Sequence, residues 1–219
     1  MNIHTLYGVF FKHFRKRRMA FFARTFELLT QTKILDVGGT PHNWELIHCP
    51  GNITLLNLRI PEGPNKKYTW AVGDGTELVY PDQSFDIVYS NSVIEHLFTY
   101  ENQKKFANEL RRVGCNIWVQ TPAKSFFVEP HLITPFIHYL PCRWQKKLLR
   151  NFTVWGLLTR PSKEKVETFL KEVRLLTFQE MQYLFPDCKI VKEKFLCFTK
   201  FYLAIRHVEA KDQLFKTPR

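Results

Sequence analysis

The sequence has few cysteines and no long apolar runs. Its five cysteines include no C-x-x-C pair and no histidines at zinc-finger spacing, so we expect no bound metal and a reducing, cytoplasmic location. No segment approaches the roughly 20 apolar residues of a membrane span. The basic cluster at residues 15–18 interrupts the apolar stretch at the amino terminus before it reaches the length of a signal-peptide core.

Acidic residues are scarce at both ends of the chain. Residues 1–33 have seven basic and one acidic side chain, residues 34–130 have eight and eleven, and residues 131–219 have seventeen and eight, which gives the net charge of +12. The middle is therefore acidic and the flanks are basic. Such a field favours anionic partners, such as a phosphorylated or carboxylated substrate, a lipid surface or RNA, although basic side chains also promote solubility.

Short apolar runs alternate with helical patterns from residue 33 onward. This alternation is typical of a mostly parallel sheet covered on both faces. After a predicted helix at residues 177–185, the strands at 189–194 and 200–206 have a short connection that requires an antiparallel pair. The earlier predicted strands are 34–37, 53–58, 68–72, 85–89 and 116–120, with a helix at 101–113.

Glycines and polar residues follow successive predicted strands. Glycine permits a sharp turn and the close approach of a ligand to the backbone. No P-loop sequence is present, and Thr40-Pro41 takes the place of the third glycine in the dinucleotide fingerprint, which argues against a phosphate cradle. The strand-end residues are Gly38 and Gly39 after the first strand, Asn57 at the end of the second, Asp74-Gly75-Thr76 after the third and Asn91 after the fourth.

Four stretches of the sequence carry the pattern as a set: ILDVGG, GDGTELVYPDQSFDIVYSNSVIEHL, RVGCNIWVQTP and TFQEMQYLFPDCKIVKEKFLCFTKFYLAIRH. Together they resemble a class I S-adenosylmethionine-dependent methyltransferase of the type 11 group. The resemblance implies an α/β fold: a Rossmann-like, doubly wound sheet of seven strands in the order 3-2-1-4-5-7-6, with the last strand antiparallel and a helical lid insertion. It also implies S-adenosyl-L-methionine as cofactor and S-adenosyl-L-homocysteine as product.

The resemblance implies cofactor-binding roles for the first two strand ends. Asp36 and Gly38 match the family's D-x-G-x-G turn, where the backbone approaches the methionine part of the cofactor, and Gly39 follows them. The Asp36 carboxylate is expected to order the turn or to contact the cofactor's amino group. Asn57 stands where many members have an acidic residue on the ribose, and its amide oxygen can also accept a hydrogen bond from a hydroxyl.

The third and fourth strand ends match the family in the same way. Asp74 matches the residue that contacts the adenine amine, with Gly75 and Thr76 beside the ring, and Asn91 falls at the cofactor's amino acid end. A sulfonium cofactor has an electrophilic methyl group and no phosphates. An acidic or neutral rim suits it better than a lysine-rich cradle, in agreement with the acidic middle of the chain.

The resemblance covers roughly residues 30–207, and residues 1–219 are predicted to form a single methyltransferase domain. Residues 1–30 are predicted to be a basic amphipathic helix with Met19, Phe22, Phe26 and Leu29 on one stripe. Residues 31–120 form the cofactor-binding core, 121–176 the substrate lid insertion, 177–207 the terminal helix and hairpin, and 208–219 a tail. The insertion is too long for a simple loop, so we expect it to be helical.

Three residues are candidate catalytic bases: His96, Glu129 and His131. Pro130 restricts Glu129 to an extended conformation, which would aim Glu129 and His131 from the lid towards the cofactor. A structural alternative remains for each: His96 and its neighbour cap a helix, and Glu129 and His131 form a hydrogen-bonding corner between lid and core. Some quinone-pathway relatives bind a metal with a glutamate three residues before a Glu-His pair, but Ser92 occupies that place here.

The main functional hypothesis is methyl transfer to a small-molecule acceptor, with oxygen slightly preferred as the acceptor atom. The basic lid suggests an anionic or lipid-linked acceptor. The lid aromatics either form an apolar pocket for it or simply pack the lid onto the domain; they are Phe126, Phe127, Phe136, Tyr139, Trp144, Phe152 and Trp155.

Two alternative functions remain. The first is an RNA methyltransferase that uses the basic flanks to bind phosphates, although no N-P-P-Y-type motif follows the fourth strand. The second is a non-catalytic member of the family that binds cofactor or a partner protein.

The amino-terminal helix also suggests peripheral membrane attachment. Phe10, Phe11, Phe14, Phe21 and Phe22 lie among basic residues, the composition of helices that lie in a membrane interface. A helix packed on the fold explains most of the same aromatics. The location predicted from the sequence is therefore cytoplasmic, with membrane contact as an open alternative, and the sequence leaves the oligomeric state undetermined.

Overall fold

The structure is a computed structural model that describes residues 3–129 and 131–208, and side chains from residue 14 onward. Pro130, the side chains of Phe10 and Phe11, and tail residues 209–219 lie outside the described residues. The helices are α1 (Ile3–Phe26), α2 (Pro41–Trp44), α3 (Tyr100–Val113), α4 (Cys142–Phe152), α5 (Val154–Thr159), α6 (Lys163–Glu172) and α7 (Phe178–Leu184). The strands are β1 (Lys33–Val37), β2 (Asn52–Asn57), β3 (Thr69–Val72), β4 (Phe85–Asn91), β5 (Gly114–Pro122), β6 (Val128–Glu129), β7 (Thr134–Pro135), β8 (Lys189–Phe195) and β9 (Phe198–Arg206).

Within the described residues, seven strands form one sheet in the order β3-β2-β1-β4-β5-β9-β8. Strand β1 pairs in parallel with β2 and β4, and β2 pairs in parallel with β3. Only two residues connect β8 to its neighbour β9, a connection that requires an antiparallel pair. Strands β6 and β7 form a separate small hairpin, so β8 and β9 are the sixth and seventh strands of the sheet. The sheet order is therefore 3-2-1-4-5-7-6, and the predicted fold class and strand order are confirmed.

Helix α1 is shorter than predicted. It ends at Phe26, and the next residue, Glu27, has a left-handed φ of 44°. Met19, Phe22 and Phe26 are buried as the periodicity predicted, but Leu29 lies beyond the helix and is 55% exposed. The stripe prediction is therefore wrong for Leu29, since the helical periodicity does not reach it.

The chain divides into two compact units. Among the described residues, unit 1 contains 3–91, 108–119 and 205–208, and unit 2 contains 92–107, 120–129 and 131–204. In unit 1, the ring of Phe22 meets the edges of Tyr89, Trp44 and Trp118 at centroid distances of 5.3, 5.6 and 5.4 Å. This aromatic cluster fixes α1 against α2 and the strands of unit 1.

Unit 2 contains the insertion, which is helical as predicted. Its core consists of Leu132, Ile137, Leu149 and Val166, so helices α4 and α6 pack on the segment that follows β6. Helix α7 of the same unit begins with a reciprocal capping box between Thr177 and Glu180. The capping box satisfies two backbone N–H groups that the helix start would leave unpaired.

Candidate active site

The turn after β1 is built around the fully buried carboxyl group of Asp36. Trp44 Nε1 donates a hydrogen bond of 2.7 Å to Asp36 Oδ2. A Cβ atom added to Gly39 would lie 1.9 Å from that same oxygen, so residue 39 must be glycine for the carboxyl group to occupy this position. Gly38 has a φ of 76°, a conformation that side chains disfavour.

The second oxygen of this carboxyl group, Asp36 Oδ1, has no hydrogen-bond donor among the described residues. Burial raises the pKa of Asp36 to about 8, against the smaller opposing effect of the Trp44 hydrogen bond. A buried, unpaired acceptor is costly unless a donor reaches it. The chemistry of Asp36 Oδ1 therefore fits a cationic amino group of a ligand, and the role of Asp36 in cofactor binding stays a prediction.

Asn57 at the end of β2 contacts the glycine turn directly. Its Nδ2 donates a hydrogen bond of 2.8 Å to the backbone oxygen of Gly39. This bond orients the amide so that Oδ1 is the remaining side-chain acceptor, the atom that the sequence analysis assigned to a hydroxyl group. The structure therefore brings Asn57 and the glycine turn together at one end of the strands of unit 1.

Asp74 organises the turn after β3. Its Oδ1 accepts hydrogen bonds of 2.8 Å from both the backbone N–H and the hydroxyl of Thr76. The side chain is exposed, and the second carboxylate oxygen remains available to a ligand amine. Further along this loop, the Arg112 guanidinium on α3 donates to the backbone oxygens of Tyr80 and Leu78, which anchors the segment that follows Asp74.

Asn91 ends β4 and receives a hydrogen bond that the sequence analysis did not predict. Arg18 of α1 is 7% exposed, and its guanidinium donates to Asn91 Oδ1 at 3.3 Å. Both this contact and the Trp44–Asp36 contact join segments that no local motif links. Helical periodicity in α1 would have found the buried face, but not that it includes Arg18.

Unit 2 contains a chain of three side chains that links the candidate catalytic residues. His131 Nδ1 lies 2.7 Å from Glu129 Oε1, and His131 Nε2 lies 3.2 Å from His96 Nε2. Glu129 is buried, and its other oxygen accepts a hydrogen bond of 2.6 Å from the backbone N–H of Leu132. The structure therefore brings Glu129, His131 and His96 together in one hydrogen-bonded line.

The two histidines have different proton affinities. Desolvation alone would lower the pKa of His131, but the hydrogen bond and charge of Glu129 outweigh it and raise that pKa. Desolvation and the adjacent His131 lower the pKa of His96. A proton that enters this pair is therefore stabilised on His131, which is the ring next to the carboxylate.

Glu95 lies against the same histidines and does not cap α3, which begins at Tyr100. Burial raises the pKa of Glu95 to about 7, and its Oε2 accepts a hydrogen bond from Thr121 Oγ1 at 2.9 Å. Ligand atoms of Glu95, His96 and His131 all lie within 4.8 Å of one another, a spacing that a cation could also bridge. The direct contact between the two Nε2 atoms favours proton transfer, and the absence of a metal stays a prediction.

A cavity in unit 2 lies beside this chain of side chains. It has a volume of about 220 Å³ and is lined by Glu129, by Lys124, and by apolar side chains such as Leu132 and Phe169. The ring of Phe169 also lies 6.2 Å from His131. The cavity therefore combines apolar side chains with the basic residue Lys124 and with Glu129, the hydrogen-bond partner of His131.

Most of the lid aromatics do not line this cavity. Phe126 is buried, and Trp155 stacks on Phe169 at 5.2 Å, so these two pack the lid. None of the seven predicted aromatics lines the cavity, and Phe169 of α6, which the sequence analysis did not name, is the phenylalanine in its wall. Four of the predicted pocket residues are exposed: Phe136, Tyr139, Trp144 and Phe152.

Part of the chain is similar in sequence to known methyltransferases. Residues 48–115 match the type 11 family described as "Methyltransferase domain". A further 77-residue match has 35% identity to ajmaline N-methyltransferase of Rauvolfia serpentina, and covers 32% of this chain and 25% of that enzyme. The chain thus spans about a quarter of the length of the curated relative that it matches.

Solved structures reproduce the whole fold. Magnesium protoporphyrin IX methyltransferase of Synechocystis PCC 6803, with bound S-adenosylhomocysteine, aligns with a TM-score of 0.54 at 11% identity, over 91% of this chain and 84% of that chain. This likeness shows a Rossmann-like methyltransferase fold. The YcgJ protein of Bacillus subtilis aligns with this chain at a TM-score of 0.51 and 14% identity, over 80% of this chain and 70% of the other.

Proposed function

We propose that the protein transfers a methyl group from S-adenosylmethionine to a hydroxyl oxygen of a small-molecule acceptor. The observation that carries this proposal is the line of Glu129, His131 and His96, because deprotonation by a general base assists methylation of a hydroxyl group. Asp36, Gly38, Gly39, Asn57, Asp74, Gly75, Thr76 and Asn91 are the residues proposed to hold the cofactor, which supplies an electrophilic methyl group on sulfur.

The hydrogen-bond pattern supports a specific proton path. With His131 Nδ1–H donated to Glu129, His131 Nε2 accepts from His96 Nε2–H, which leaves His96 Nδ1 as the atom that takes the acceptor's proton. The Nε2 proton of His96 then moves to His131, where the negative charge of Glu129 stabilises it. Orientation of the acceptor beside the methyl donor supplies much of the remaining acceleration.

The cavity of unit 2 supports an amphiphilic, anionic acceptor. Leu132 and Phe169 offer an apolar wall, and Lys124 offers a positive charge on the same cavity. A carboxylate or phosphate on an aromatic or lipid-like body matches both features. An anionic or lipid-linked acceptor therefore remains our preferred class.

Calorimetric titration with S-adenosylhomocysteine, followed by an acceptor screen with isotope-labelled cofactor, tests the proposal. Asp74→Asn keeps an oxygen for the Thr76 hydrogen bonds but replaces the second carboxylate oxygen by a donor, so we expect at least tenfold weaker binding, equivalent to about 1.4 kcal/mol. Glu77→Gln changes an exposed carboxylate three residues away and should bind like wild type. Wild-type protein that binds neither cofactor form would overturn the proposal.

A further inference from the structure

The exposed apolar side chains of the protein are concentrated in one part of the lid. Large hydrophobic residues of the described chain are mostly buried, and an exposed one needs no explanation when it stands alone. Within residues 136–158, however, seven of them are at least 38% exposed. They are Phe136 (60%), Tyr139 (50%), Leu140 (38%), Trp144 (50%), Phe152 (69%), Leu157 (51%) and Leu158 (53%).

The same part of the lid has only basic charges. Residues 131–163 contain six basic side chains and no aspartate or glutamate. Lys146 is ion-paired with Glu167 of α6 at 2.9 Å. The basic residues are Arg143, Lys146, Lys147, Arg150, Arg160 and Lys163.

Helix α4 separates its core contacts from this exposed set. Leu149 is fully buried and belongs to the core of unit 2, whereas Trp144 and Lys147 are both exposed and lie one turn apart. Phe152 is exposed at the end of the helix, directly before α5 with Leu157 and Leu158. The cluster of Leu132, Ile137, Leu149 and Val166 is thus buried without help from the exposed apolar residues, which do not belong to it.

We propose that this lid surface, formed by residues 136–160, binds an anionic lipid bilayer. Trp and Tyr side chains favour the headgroup region, and Phe and Leu gain free energy by entering the hydrocarbon boundary. Lysines and arginines beside them are attracted to anionic headgroups and can keep their charged ends in water. The exposed residues of the lid surface supply all three components.

A bilayer explains this composition better than RNA does. RNA would use the basic and aromatic residues for phosphate contacts and base stacking. Leu140, Leu157 and Leu158 have no role in either contact, whereas insertion into lipid buries them. The amino-terminal helix is a separate case: Phe22 is buried, Phe21 is 38% exposed, and the membrane contact predicted for that helix stays a prediction.

The binding is expected to be peripheral. Among residues 3–129 and 131–208, no helix combines the length and the apolar character that crossing a bilayer requires. A surface of this kind holds a protein in the interface plane by shallow insertion, and the attraction falls as salt screens it.

Vesicle co-sedimentation of the full chain tests the proposal. We expect binding to vesicles of phosphatidylcholine mixed with phosphatidylserine, and little binding to phosphatidylcholine alone. The double variant Trp144→Ser, Phe152→Ser should bind mixed vesicles at least tenfold more weakly, because two aromatic side chains no longer insert. The matched control Tyr183→Ser, Leu196→Ser removes apolar residues that are 79% and 78% exposed outside the lid surface and should bind like wild type.

A charge-neutralising pair separates electrostatic attraction from insertion. Lys147→Gln with Arg150→Gln should weaken binding by about fivefold per charge, whereas Lys104→Gln with Lys105→Gln on α3 should not. Far-ultraviolet circular dichroism must be unchanged in each variant. Equal binding of lid and control variants would overturn the proposal, as would binding to single-stranded RNA in the absence of binding to mixed vesicles.

Discussion

The buried carboxyl groups of the two units differ in their hydrogen bonding. One is at the turn after β1 in unit 1, and the other is in the hydrogen-bonded set of Glu129, His131 and His96 in unit 2, here called the histidine line. In unit 1 the buried Asp36 has one donor, Trp44, and one oxygen without a partner among the described residues. In unit 2 the buried Glu129 has both oxygens occupied, by His131 and by the backbone of Leu132. The first arrangement leaves a buried acceptor that suits a donor group of a ligand, and the second fixes the orientation of the His131 ring.

On the proposed function, this difference separates the residues that bind the cofactor from those that transfer a proton. A carboxyl group with an unpaired oxygen is unstable as an anion until a donor arrives, whereas a fully hydrogen-bonded carboxylate is a fixed charge. Substitutions in unit 1 should therefore change ligand affinity, and substitutions in the histidine line should change turnover. The following predictions test that division, from the largest expected effect to the smallest.

Gly39→Ala should abolish cofactor binding. The added Cβ would occupy the position of Asp36 Oδ2, so the carboxyl group and its Trp44 bond must move. We expect affinity for S-adenosylhomocysteine to fall at least 100-fold by calorimetry, equivalent to about 2.7 kcal/mol. In the control Gly63→Ala, nothing lies within 4 Å of the added atom and only the φ of 63° is strained, so the affinity should not change. Wild-type affinity in Gly39→Ala would contradict the assignment.

His96→Gln should leave cofactor affinity intact and lower turnover. General-base catalysis contributes about 10² to 10⁴-fold, so we expect kcat to fall about 100-fold with the acceptor that the screen identifies. His48→Gln, in the loop before β2, is the matched histidine control. A fall in cofactor affinity with unchanged kcat would show that His96 contributes to cofactor binding and not to proton transfer.

Asp36→Asn should change the pH dependence of stability. The carboxyl group has a folded-state pKa near 8 against an ordinary 3.8, so the native state binds the extra proton and the free energy of unfolding of wild type falls as pH rises through this window. Asparagine carries no charge to bury and can still accept from Trp44. Urea unfolding at pH 5, 6.5 and 8 should show the variant gaining stability relative to wild type with increasing pH. If the unfolding free energies of variant and wild type differed by the same amount at all three pH values, the pKa of Asp36 would not be raised by burial.

Glu129→Gln should give the smallest loss of turnover but a diagnostic pH shift. Glu129 raises the pKa of His131, and the histidine pair must be free of the extra proton to act as base. Wild-type activity should therefore fall as pH drops through that raised pKa. The variant should retain activity to lower pH and lose about tenfold in kcat, because the protonated ring is less stabilised. An unmoved acidic limb of the pH–rate profile would exclude Glu129 from the proton path.

The same division explains what the sequence could predict. Asp36 lies near the end of β1, and Gly38, Gly39 and Asp74 come within two residues of a strand end, so the sequence predicted where they lie relative to the sheet. His96 and His131 are 35 residues apart, and no local pattern reports that their rings meet. The Trp44–Asp36 bond was missed for a related reason, since a tryptophan beyond a turn is normally a core residue, and core packing does not reveal the direction of its N–H.

The histidine line also has a consequence for how new specificities could arise. Glu129, His131, Lys124 and Phe169 all lie within residues 121–176, whereas His96 follows β4. Exchange of this one contiguous segment between proteins of the same fold would replace the cavity and two members of the proton path in a single step. On the proposed function, acceptor specificity could then change together with this one segment, while the residues proposed to bind the methyl donor stay the same.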